Sequence, residues 1–254
     1  MLDYQASNDL LKDKVILVTG AGDGIGRVAA INYAKHGATV ILLGRTTKKL
    51  EVVYDEIENL GYPQAAIVPL NLDGSSEHDY ADLANIIQTE FGRLDGLLHN
   101  ASILGDRTAL ANYESSTFEQ VMRINVTSQF MLTQAVMPLL EESKAGSIVF
   151  TTSSVGRKAR AYWGAYAISK FATEAMMQLL ADELENTSPI RVNAINPGAI
   201  STNMRSRAFP AEDPNTVTPP EKIMPLYLYL MGDDSLEVNG QSIDAQTKKP
   251  TIEN

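Results

Sequence analysis

Tyr166 and Lys170 are the two residues whose types and spacing most directly indicate chemistry. They stand four positions apart in a segment with helical periodicity, so both side chains lie on one helix face. A phenol with an ordinary pKa of about 10 is a poor acid–base catalyst at neutral pH. A neighbouring ammonium group stabilises the phenolate and lowers that pKa. The pair therefore predicts a tyrosine acid–base group whose pKa is lowered by a lysine.

Ser153 and Asn125 extend this candidate catalytic set. Ser153 follows an apolar run that is predicted to be a strand, and parallel sheets bind ligands beyond the carboxyl ends of their strands. Asn125 falls within a predicted long helix, where asparagine is neither a strong helix former nor an expected core residue. A solvated surface position is the competing interpretation for Asn125. Together the four residues predict a polar site at one edge of a sheet.

Glycines cluster in residues 19–26, which read Thr-Gly-Ala-Gly-Asp-Gly-Ile-Gly between a predicted strand and a predicted helix. Glycine permits positive φ angles and lets backbone N–H groups approach a pyrophosphate, which the helix N-terminus also attracts. The pattern is T-G-x-x-x-G-x-G through Gly20, Gly24 and Gly26. The more common G-x-G-x-x-G does not fit, because its third glycine, counted from Gly20, would be Ile25. The loop predicts a dinucleotide-binding site.

Gly44 and Arg45 end the second predicted strand, where the choice between two coenzymes is usually made. An acidic residue there would bind the adenosine 2′-hydroxyl of NAD and repel the 2′-phosphate of NADP. Gly44 removes that repulsion, and the Arg45 guanidinium suits a phosphate. The sequence favours NADP(H), with NAD(H) as the alternative. Asp23 in the glycine loop weighs against a strongly basic phosphate site, and a solvated charge is the other interpretation of Arg45.

Short β-branched runs alternate with helical patterns along the chain, which predicts an α/β Rossmann fold. We expect one domain over residues 1–254, with a doubly wound parallel sheet covered by helices on both faces. The predicted strands are residues 15–19, 39–43, 66–70, 94–99, 147–152, 191–196 and, at an edge, 241–245. The predicted helices are residues 25–36, 46–59, 76–91, 116–142 (bent or ended near Pro138), 165–186 and 225–231.

Residues 201–222 interrupt this alternation with four prolines and many small polar residues. Their length favours a substrate-binding lid, and a disordered surface loop is the alternative. Around the expected cleft, Tyr162, Trp163, Met204 and Phe209 favour an apolar or flat substrate. Arg205 and Arg207 favour instead a carboxylate or phosphate, or a purely solvated position. The last nine residues are expected to form a polar tail.

Composition excludes several classes of function. The net charge of −10 argues against a nucleic-acid partner, because phosphate tracking needs clustered lysine and arginine. The absence of cysteine excludes disulfides, a thiol nucleophile and thiolate-bound metals. His36, His78 and His99 lack metal-ligand spacing, so no metal is expected. No apolar run approaches the roughly 20 residues that cross a bilayer, and a cytoplasmic location with no membrane partner is expected.

These motifs together resemble the short-chain dehydrogenase/reductase family, in its compact type, and more loosely a bacterial branch of oxidoreductases within it. The resemblance covers about residues 10–205 and implies an NADP(H)-dependent carbonyl reductase or alcohol dehydrogenase. The matching motifs, in family order, are T-G-x-x-x-G-x-G at residues 19–26, Asn100-Ala101, Asn125, Ser153, Y-x-x-x-K at residues 166–170, and Pro197-Gly198 followed by Thr202.

The resemblance also implies a role for each catalytic residue. Tyr166 would donate a proton to the substrate carbonyl oxygen in reduction, or remove it in oxidation, and Ser153 would hydrogen-bond that oxygen. Lys170 would hold the nicotinamide ribose and lower the Tyr166 pKa. Asn125 would organise a water that connects Lys170 to solvent. Family spacing favours Ser153 over its neighbour Ser154.

A set of cofactor-binding residues follows from the same resemblance. Four of them, from Pro197 to Thr202, would border the nicotinamide, and Asp73 would contact the adenine. The full set is Thr19, Gly20, Gly22, Asp23, Gly24, Ile25, Gly26, Arg45, Asp73, Asn100, Ala101, Tyr166, Lys170, Pro197, Gly198, Ile200 and Thr202. A small carbonyl or alcohol substrate and a homodimer or homotetramer are the implied partners.

The chain departs from the family pattern in two places. Ser102 adds a side chain after Asn100-Ala101, where the backbone usually lies close to the cofactor, and His99 before them is expected to be a structural histidine. The carboxyl end reads Asp-Ala-Gln at residues 244–246 in place of Asp-Gly-Gly, which puts the usual tetramer packing in question. A catalytically idle NADP-binding sensor or scaffold remains the alternative function. A sugar-nucleotide epimerase does not fit, because it would need glycine at Asp23.

Overall fold

One sheet of seven parallel strands forms the centre of the computed structural model, which describes residues 3–246. The strand order is β3-β2-β1-β4-β5-β6-β7, and every neighbouring pair is parallel. The order reverses between β1 and β4, which opens a crevice at the carboxyl edge. The strands are β1 (Val15–Thr19), β2 (Thr39–Gly44), β3 (Ala66–Pro69), β4 (Gly96–His99), β5 (Ser147–Thr151), β6 (Arg191–Asn196) and β7 (Ser242–Asp244).

Helices cover both faces of this sheet, so the predicted doubly wound Rossmann fold is confirmed. Alternate side chains of β1 point to opposite faces: Ile16 and Val18 pack under α1, α2 and α8, whereas Leu17 packs under α3, α5 and α6. The helices are α1 (Gly24–Lys35), α2 (Thr47–Asn59), α3 (Glu77–Phe91), α4 (Ser115–Met122), α5 (Ser128–Glu141), α6 (Gly164–Leu184), α7 (Asn203–Ala208) and α8 (Met224–Met231). None of these helices, within the described chain, has the length and apolarity that a bilayer span requires.

Two segments differ from their predicted form. The helix predicted at residues 116–142 is divided by a π turn at Arg123–Thr127, whereas Pro138 lies inside α5 without ending it. The predicted bend near Pro138 is therefore misplaced, because the hydrogen-bond pattern of the helix changes at Asn125 instead. The lid at residues 201–222 contains α7 and two short 3₁₀ turns rather than an irregular loop. The predicted polar tail lies, from residue 247 onward, outside the described residues.

Asp95 ties three strands together at the amino edge of the sheet, opposite the crevice. Its side chain is buried and accepts hydrogen bonds from the Val15 N–H at 2.9 Å, Ser143 Oγ at 2.7 Å and Arg93 Nε at 3.1 Å. Its main chain bonds to Val15 of β1 and Ser147 of β5. A single carboxylate thus satisfies a buried N–H and a buried hydroxyl that would otherwise lack partners.

Replacing Asp95 by alanine is expected to lower the free energy of unfolding by about 2–4 kcal/mol, because it leaves buried donors unpaired. Urea unfolding of the purified variant measures the loss. Asp55→Ala is the matched control, since Asp55 is an exposed carboxylate on α2, and its effect is expected to stay within about 0.5 kcal/mol. Equal losses in the two variants would contradict the role assigned to Asp95.

Candidate active site

A cleft of about 560 Å³ lies along the carboxyl edge of the sheet and brings most of the predicted site residues together. It receives residues from the ends of β1, β2, β4, β5 and β6 and from the lid. Thr19, Gly26 and Asn125 do not line it. The predicted residues that do are Gly20, Gly22, Asp23, Gly24, Ile25, Arg45, Asp73, Asn100, Ala101, Ser153, Tyr166, Lys170, Pro197, Gly198, Ile200 and Thr202.

The glycine loop is held in shape by close contacts that side chains would block. Gly20 and Gly24 have φ angles of 67° and 52°, in the left-handed region that favours glycine. A Cβ on Gly26 would overlap the Gly20 carbonyl oxygen and the Asn100 amide. The Thr19 hydroxyl donates to Leu98 O and accepts from the N–H of Ala101 at 3.0 Å. Thr19 and Gly26 therefore determine the shape of the loop without lining the cleft.

Asp23 links the glycine loop to two other elements. Its carboxylate caps α1 through Gly24 N–H at 2.8 Å and accepts hydrogen bonds from Lys49 Nζ of α2 at 2.5 Å and Asn203 Nδ2 of the lid at 3.0 Å. Partial burial acts to raise the Asp23 pKa, but hydrogen bonds from Lys49 and Asn203 outweigh it and lower that pKa. Asp23 is thus a compensated anion that joins loop, helix and lid.

Lys49 is a cleft residue that the sequence reasoning missed. It lies in the first turn of α2, directly after the strand end that carries Arg45, so its nearness in sequence to Arg45 was the signal that could have indicated it. Arg45 is exposed at the end of β2, and no carboxylate of the described residues lies within salt-bridge distance of it. The cleft beside the end of β2 therefore carries two cations, of which Lys49 is paired with Asp23.

Tyr166 and Ser153 meet in the middle of the cleft. Tyr166 lies in the first turn of α6, mostly buried, and Ser153 follows β5. Burial raises the Tyr166 pKa to about 12, while the side-chain hydrogen bond with Ser153 acts in the opposite direction. Ser154, the neighbouring alternative, is exposed and does not line the cleft.

Lys170 does not lower the Tyr166 pKa in this structure, contrary to the sequence expectation. The Lys170 Nζ donates to Thr151 O at 2.7 Å and lies 5.6 Å from the centroid of the Tyr166 ring, so it is not hydrogen-bonded to the phenol. Desolvation of the phenolate therefore dominates. Burial also lowers the Lys170 pKa to about 8, and the negative charge of Glu174 acts against that shift.

Asn125 is fully buried in the π turn, so the solvated interpretation is wrong. Its amide oxygen accepts from Ile103 N–H at 2.8 Å, and its Nδ2 donates to Ile103 O at 2.9 Å and Ser169 Oγ at 3.0 Å. Ser169 in turn donates to Tyr166 O. Asn125 therefore braces the segment after β4 against the helix that carries Tyr166 and Lys170.

The end of the cleft beside Tyr166 is apolar, and two of the nearby arginines are held by other side chains. Trp163 and Met204 pack beside Tyr166, and the guanidinium of Arg107 lies between the rings of Trp163 and Phe209 at 4.7 and 4.8 Å. Arg205 stacks on Phe209 and forms two 2.6 Å hydrogen bonds with Glu212. Arg207 lines the cleft, so of the two lid arginines it is the one left for an anionic group.

Gln246 is a second residue that the sequence reasoning missed. Its Nε2 donates to Pro197 O at 2.8 Å and Ala199 O at 3.0 Å, and its Oε1 accepts from Thr218 Oγ1 of the lid at 2.8 Å. In the sequence, residue 246 is only a departure from the glycine of the family pattern. The side chain that replaces that glycine fastens the Pro197-Gly198 turn and the lid.

His99 takes no part in the cleft. It is buried, stacks on Phe150 and contacts Thr133 Oγ1 through Nε2 at 2.7 Å. Burial lowers the His99 pKa to about 3, so the ring is neutral at ordinary pH. Among residues 3–246, no three histidine, aspartate or glutamate side chains are grouped so as to hold a metal ion.

Comparisons with known proteins agree with this geometry. The family model described as short chain dehydrogenase matches residues 14–213, and the chain therefore belongs to the short-chain dehydrogenase family. The chain is 52% identical over 252 residues to the oxidoreductase YciK of Escherichia coli K12, with 99% of both chains covered. It is accordingly an oxidoreductase of that family, whose members act on CH–OH and C=O groups.

Solved structures extend the likeness to three dimensions. A short chain dehydrogenase from Pseudomonas syringae is 56% identical, with a TM-score of 0.95 and coverage of 97% of this chain and 100% of that one. A second, from Shigella flexneri and described as complexed with NADP, is 53% identical with a TM-score of 0.93. Here the match covers 95% of this chain and 100% of the other.

Asn125→Asp is expected to lower the free energy of unfolding by about 3 kcal/mol at neutral pH, because a buried carboxylate would face the Ile103 carbonyl. These surroundings raise the pKa of the new carboxyl above its unfolded value of about 3.9. The folded state then binds more protons than the unfolded state, so the loss is present at high pH and is relieved as pH falls.

Thermal unfolding of Asn125→Asp and wild type between about pH 8 and pH 5 measures this trend. Asn85→Asp, at an exposed position on α3, is the matched control and is expected to show no such convergence. A stability gap for Asn125→Asp that does not narrow on acidification would contradict the buried, donor-dependent role of this amide.

Proposed function

We propose that the chain is an NADP(H)-dependent carbonyl reductase or alcohol dehydrogenase in which Tyr166 is the general acid or base. The observation that carries this proposal is that Ser153, Tyr166 and Lys170 line the same cleft as the glycine loop. When bound, NADP(H) supplies or accepts the hydride at nicotinamide C4. The hydride and one proton together convert a carbonyl group into a secondary alcohol.

The glycine loop suits the pyrophosphate of a dinucleotide. Gly20 and Gly24 take positive φ angles where the loop turns into α1, whose N-terminal N–H groups and dipole favour a pyrophosphate. Arg45 and Lys49 are suited to the 2′-phosphate of NADP, and Gly44 presents no acidic side chain against it. The NADP-bound Shigella flexneri relative supports the same coenzyme for this chain.

The other residues predicted to bind the cofactor complete the proposed cofactor site. Asn100 and Ala101 follow β4 across from the glycine loop, and Asp73 lies at the adenine end. Pro197, Gly198, Ile200 and Thr202 border the nicotinamide end, where Gln246 fastens their turn. Thr19, Gly22, Ile25 and Gly26 shape or line the loop.

In reduction, Tyr166 donates its phenolic proton to the substrate oxygen. The raised pKa of about 12 keeps the phenol protonated in the free enzyme, which is the state that reduction needs. Ser153 donates a hydrogen bond to the same oxygen and aligns it. Lys170 would hold the nicotinamide ribose, with its Nζ positioned by the 2.7 Å hydrogen bond to Thr151 O.

Reprotonation of Tyr166 draws on the region behind Lys170. Both Nδ2 hydrogens of Asn125 are already committed to Ile103 and Ser169, so its side chain has no donor left for a water. Carbonyl groups of the π turn, whose hydrogen-bond ladder is altered, are the groups suited to hold that water. Asn125 then supports the relay by fixing the π turn.

The substrate proposed for this site is an apolar or flat carbonyl compound. Trp163, Met204 and Phe209 supply apolar surface beside Tyr166, and Arg205 is neutralised by Glu212.

A homodimer or homotetramer is part of the proposal. Exposed Phe130 on α5 and exposed Ile168, Phe171 and Leu179 on α6 provide apolar surface for such packing.

The coenzyme assignment is tested by the binding of NADPH and NADH at one fixed ionic strength. Arg45→Glu is expected to weaken NADPH binding by roughly tenfold to a hundredfold, because it replaces a phosphate-binding cation by a repelling anion, and to leave NADH binding nearly unchanged. Lys48→Glu is the matched control, because it makes the same charge change at a position of α2 that lies outside the cleft. A wild-type preference for NADH would overturn the coenzyme assignment.

The acid–base role is tested by Tyr166→Phe, with NADPH oxidation followed over a panel of aromatic ketones and quinones. The variant is expected to bind NADPH normally and to lose about 10²- to 10⁴-fold in kcat, because only the proton donor is removed. Tyr162→Phe, at an exposed hydroxyl that does not line the cleft, is expected to keep full activity. NADPH binding without turnover in wild type would support the idle scaffold instead.

A further inference from the structure

Glu174 is a buried carboxylate for which the proposed reaction has no role. It lies on α6 one turn beyond Lys170, and the four-residue spacing places the two side chains on the same helix face. Glu174 is 6% exposed and Lys170 is 1% exposed. Buried charges are costly unless they are paired, so the groups that face Glu174 decide what it does.

Arg157 and Ser242 fix the Glu174 carboxylate. Glu174 Oε1 accepts hydrogen bonds from Arg157 Nε at 3.3 Å and from Ser242 Oγ at 2.8 Å. Arg157 Nη1 also donates to Asp244 Oδ1 at 2.6 Å, and that oxygen accepts from Asn196 Nδ2 at 2.8 Å. The cluster therefore joins α6 to β6, to β7 and to the turn that follows Ser153.

The charges of this cluster do not balance without Lys170. Arg157 is one cation between two carboxylates, Glu174 and Asp244, and Lys170 supplies the second positive charge. The other titratable groups that face Lys170 are Tyr166 on α6 and Tyr227 on α8, whose hydroxyl contacts Thr151. Burial raises the pKa of both phenols, so they are neutral and leave the electrostatic balance to the charged residues.

The turn that carries Arg157 also packs directly on Lys170. A Cβ on Gly156 would come within 2.8 Å of the Lys170 Cβ and main-chain carbonyl, so only glycine allows this approach. Ser153 begins the same 3₁₀ turn. A displacement of Arg157 would therefore shift both Ser153 and Lys170.

We infer that Glu174, held by Arg157 and Ser242, is a positioning residue that supplies the counter-charge of the Lys170 ammonium and ties the Ser153 turn to α6. The inference rests on the proposed function, because the charged state of Lys170 matters to catalysis only if Lys170 binds the nicotinamide ribose. Glu174 touches neither substrate nor cofactor in this scheme. It acts through Lys170 and through the turn that carries Arg157.

The two partners of this ion pair should move the Lys170 pKa in opposite directions. Burial lowers the Lys170 pKa to about 8, and Glu174 opposes that shift. Glu174→Gln removes the opposing anion, so Lys170 should lose its proton at lower pH. Arg157→Gln removes a repelling cation and frees Glu174 to act on Lys170, so the proton should be lost at higher pH.

The experiment measures NADPH affinity and the kcat for ketone reduction of each variant between about pH 6 and pH 10. In wild type, both should fall as Lys170 deprotonates near pH 8. The falling limb should move down by roughly half to one pH unit in Glu174→Gln and up in Arg157→Gln. Glu174→Asp retains the charge and should restore the wild-type limb, and Glu183→Gln, an exposed change on α6, should not move it.

Limbs that stay in place, or that move in the same direction in Glu174→Gln and Arg157→Gln, would overturn the inference. Loosened packing alone would move both limbs in the same direction, because either substitution removes the hydrogen bond between Arg157 and Glu174. Opposed shifts require electrostatic coupling through Lys170.

A double-mutant cycle in the absence of NADPH keeps the test independent of the proposed function. The coupling in unfolding free energy between Glu174→Gln and Lys170→Met should be present at pH 7 and lost at about pH 10, where Lys170 is neutral. A coupling that does not change with pH would overturn the inference. Coupling in a wild-type protein that binds no NADPH would uphold it while refuting the proposed function.

Discussion

The burial of the Lys170 ammonium beside a buried phenol is the constraint on which the rest of the site depends. Water would solvate both groups and return their pKa values to ordinary ranges, so the surrounding elements have to exclude it. Thr151 O accepts a 2.7 Å hydrogen bond from Nζ, and the Tyr227 hydroxyl contacts Thr151 Oγ1 at 3.2 Å. The pKa of Lys170 falls to about 8 as a result, close to physiological pH. A small electrostatic change nearby can therefore alter its charge.

Stability and chemistry are located at opposite edges of one sheet. Asp95 joins β1, β4 and β5 at their amino ends, and Arg191 donates there to the carbonyl oxygens of Gly232 and Ser235. At the carboxyl ends of the same strands the polar groups face the cleft. The strands between the two edges are almost wholly apolar and buried on both faces. The β5 strand therefore fixes where Ser153 lies and does not carry charge to it.

The sequence was sufficient for the fold because its signals are local and repeated. Alternation of β-branched runs with helical patterns determines the doubly wound sheet, and the glycine loop requires its own backbone geometry. Tyr166, Lys170 and Ser153 could be named because strand ends and four-residue spacings converge on one edge. Boundaries of elements shifted by only a few residues, as in β4, which begins at Gly96 rather than residue 94.

What the sequence did not reveal depends on contacts between distant residues. Lys49 and Gln246 are fixed by partners 26 and 28 positions away, Asp23 and Thr218, which no local pattern encodes. The Tyr166 pKa was expected to fall, yet desolvation raised it, because burial depends on the whole fold rather than on spacing. Asn125 was ambiguous for the same reason, since helical periodicity cannot show that a turn is π rather than α.

That π turn has a consequence for how the chain tolerates insertions and deletions. An α-helix advances about 100° per residue, so a π turn is equivalent to one residue added to a continuous helix. Deleting one residue from Arg123–Thr127 would therefore let a regular α-helical ladder run from α4 into α5, with the two helices keeping their relative phase. The deletion would remove only the local bulge that directs Asn125 toward Ile103 and Ser169. The extra residue thus sets the direction of one buried side chain and leaves the packing of both flanking helices unchanged.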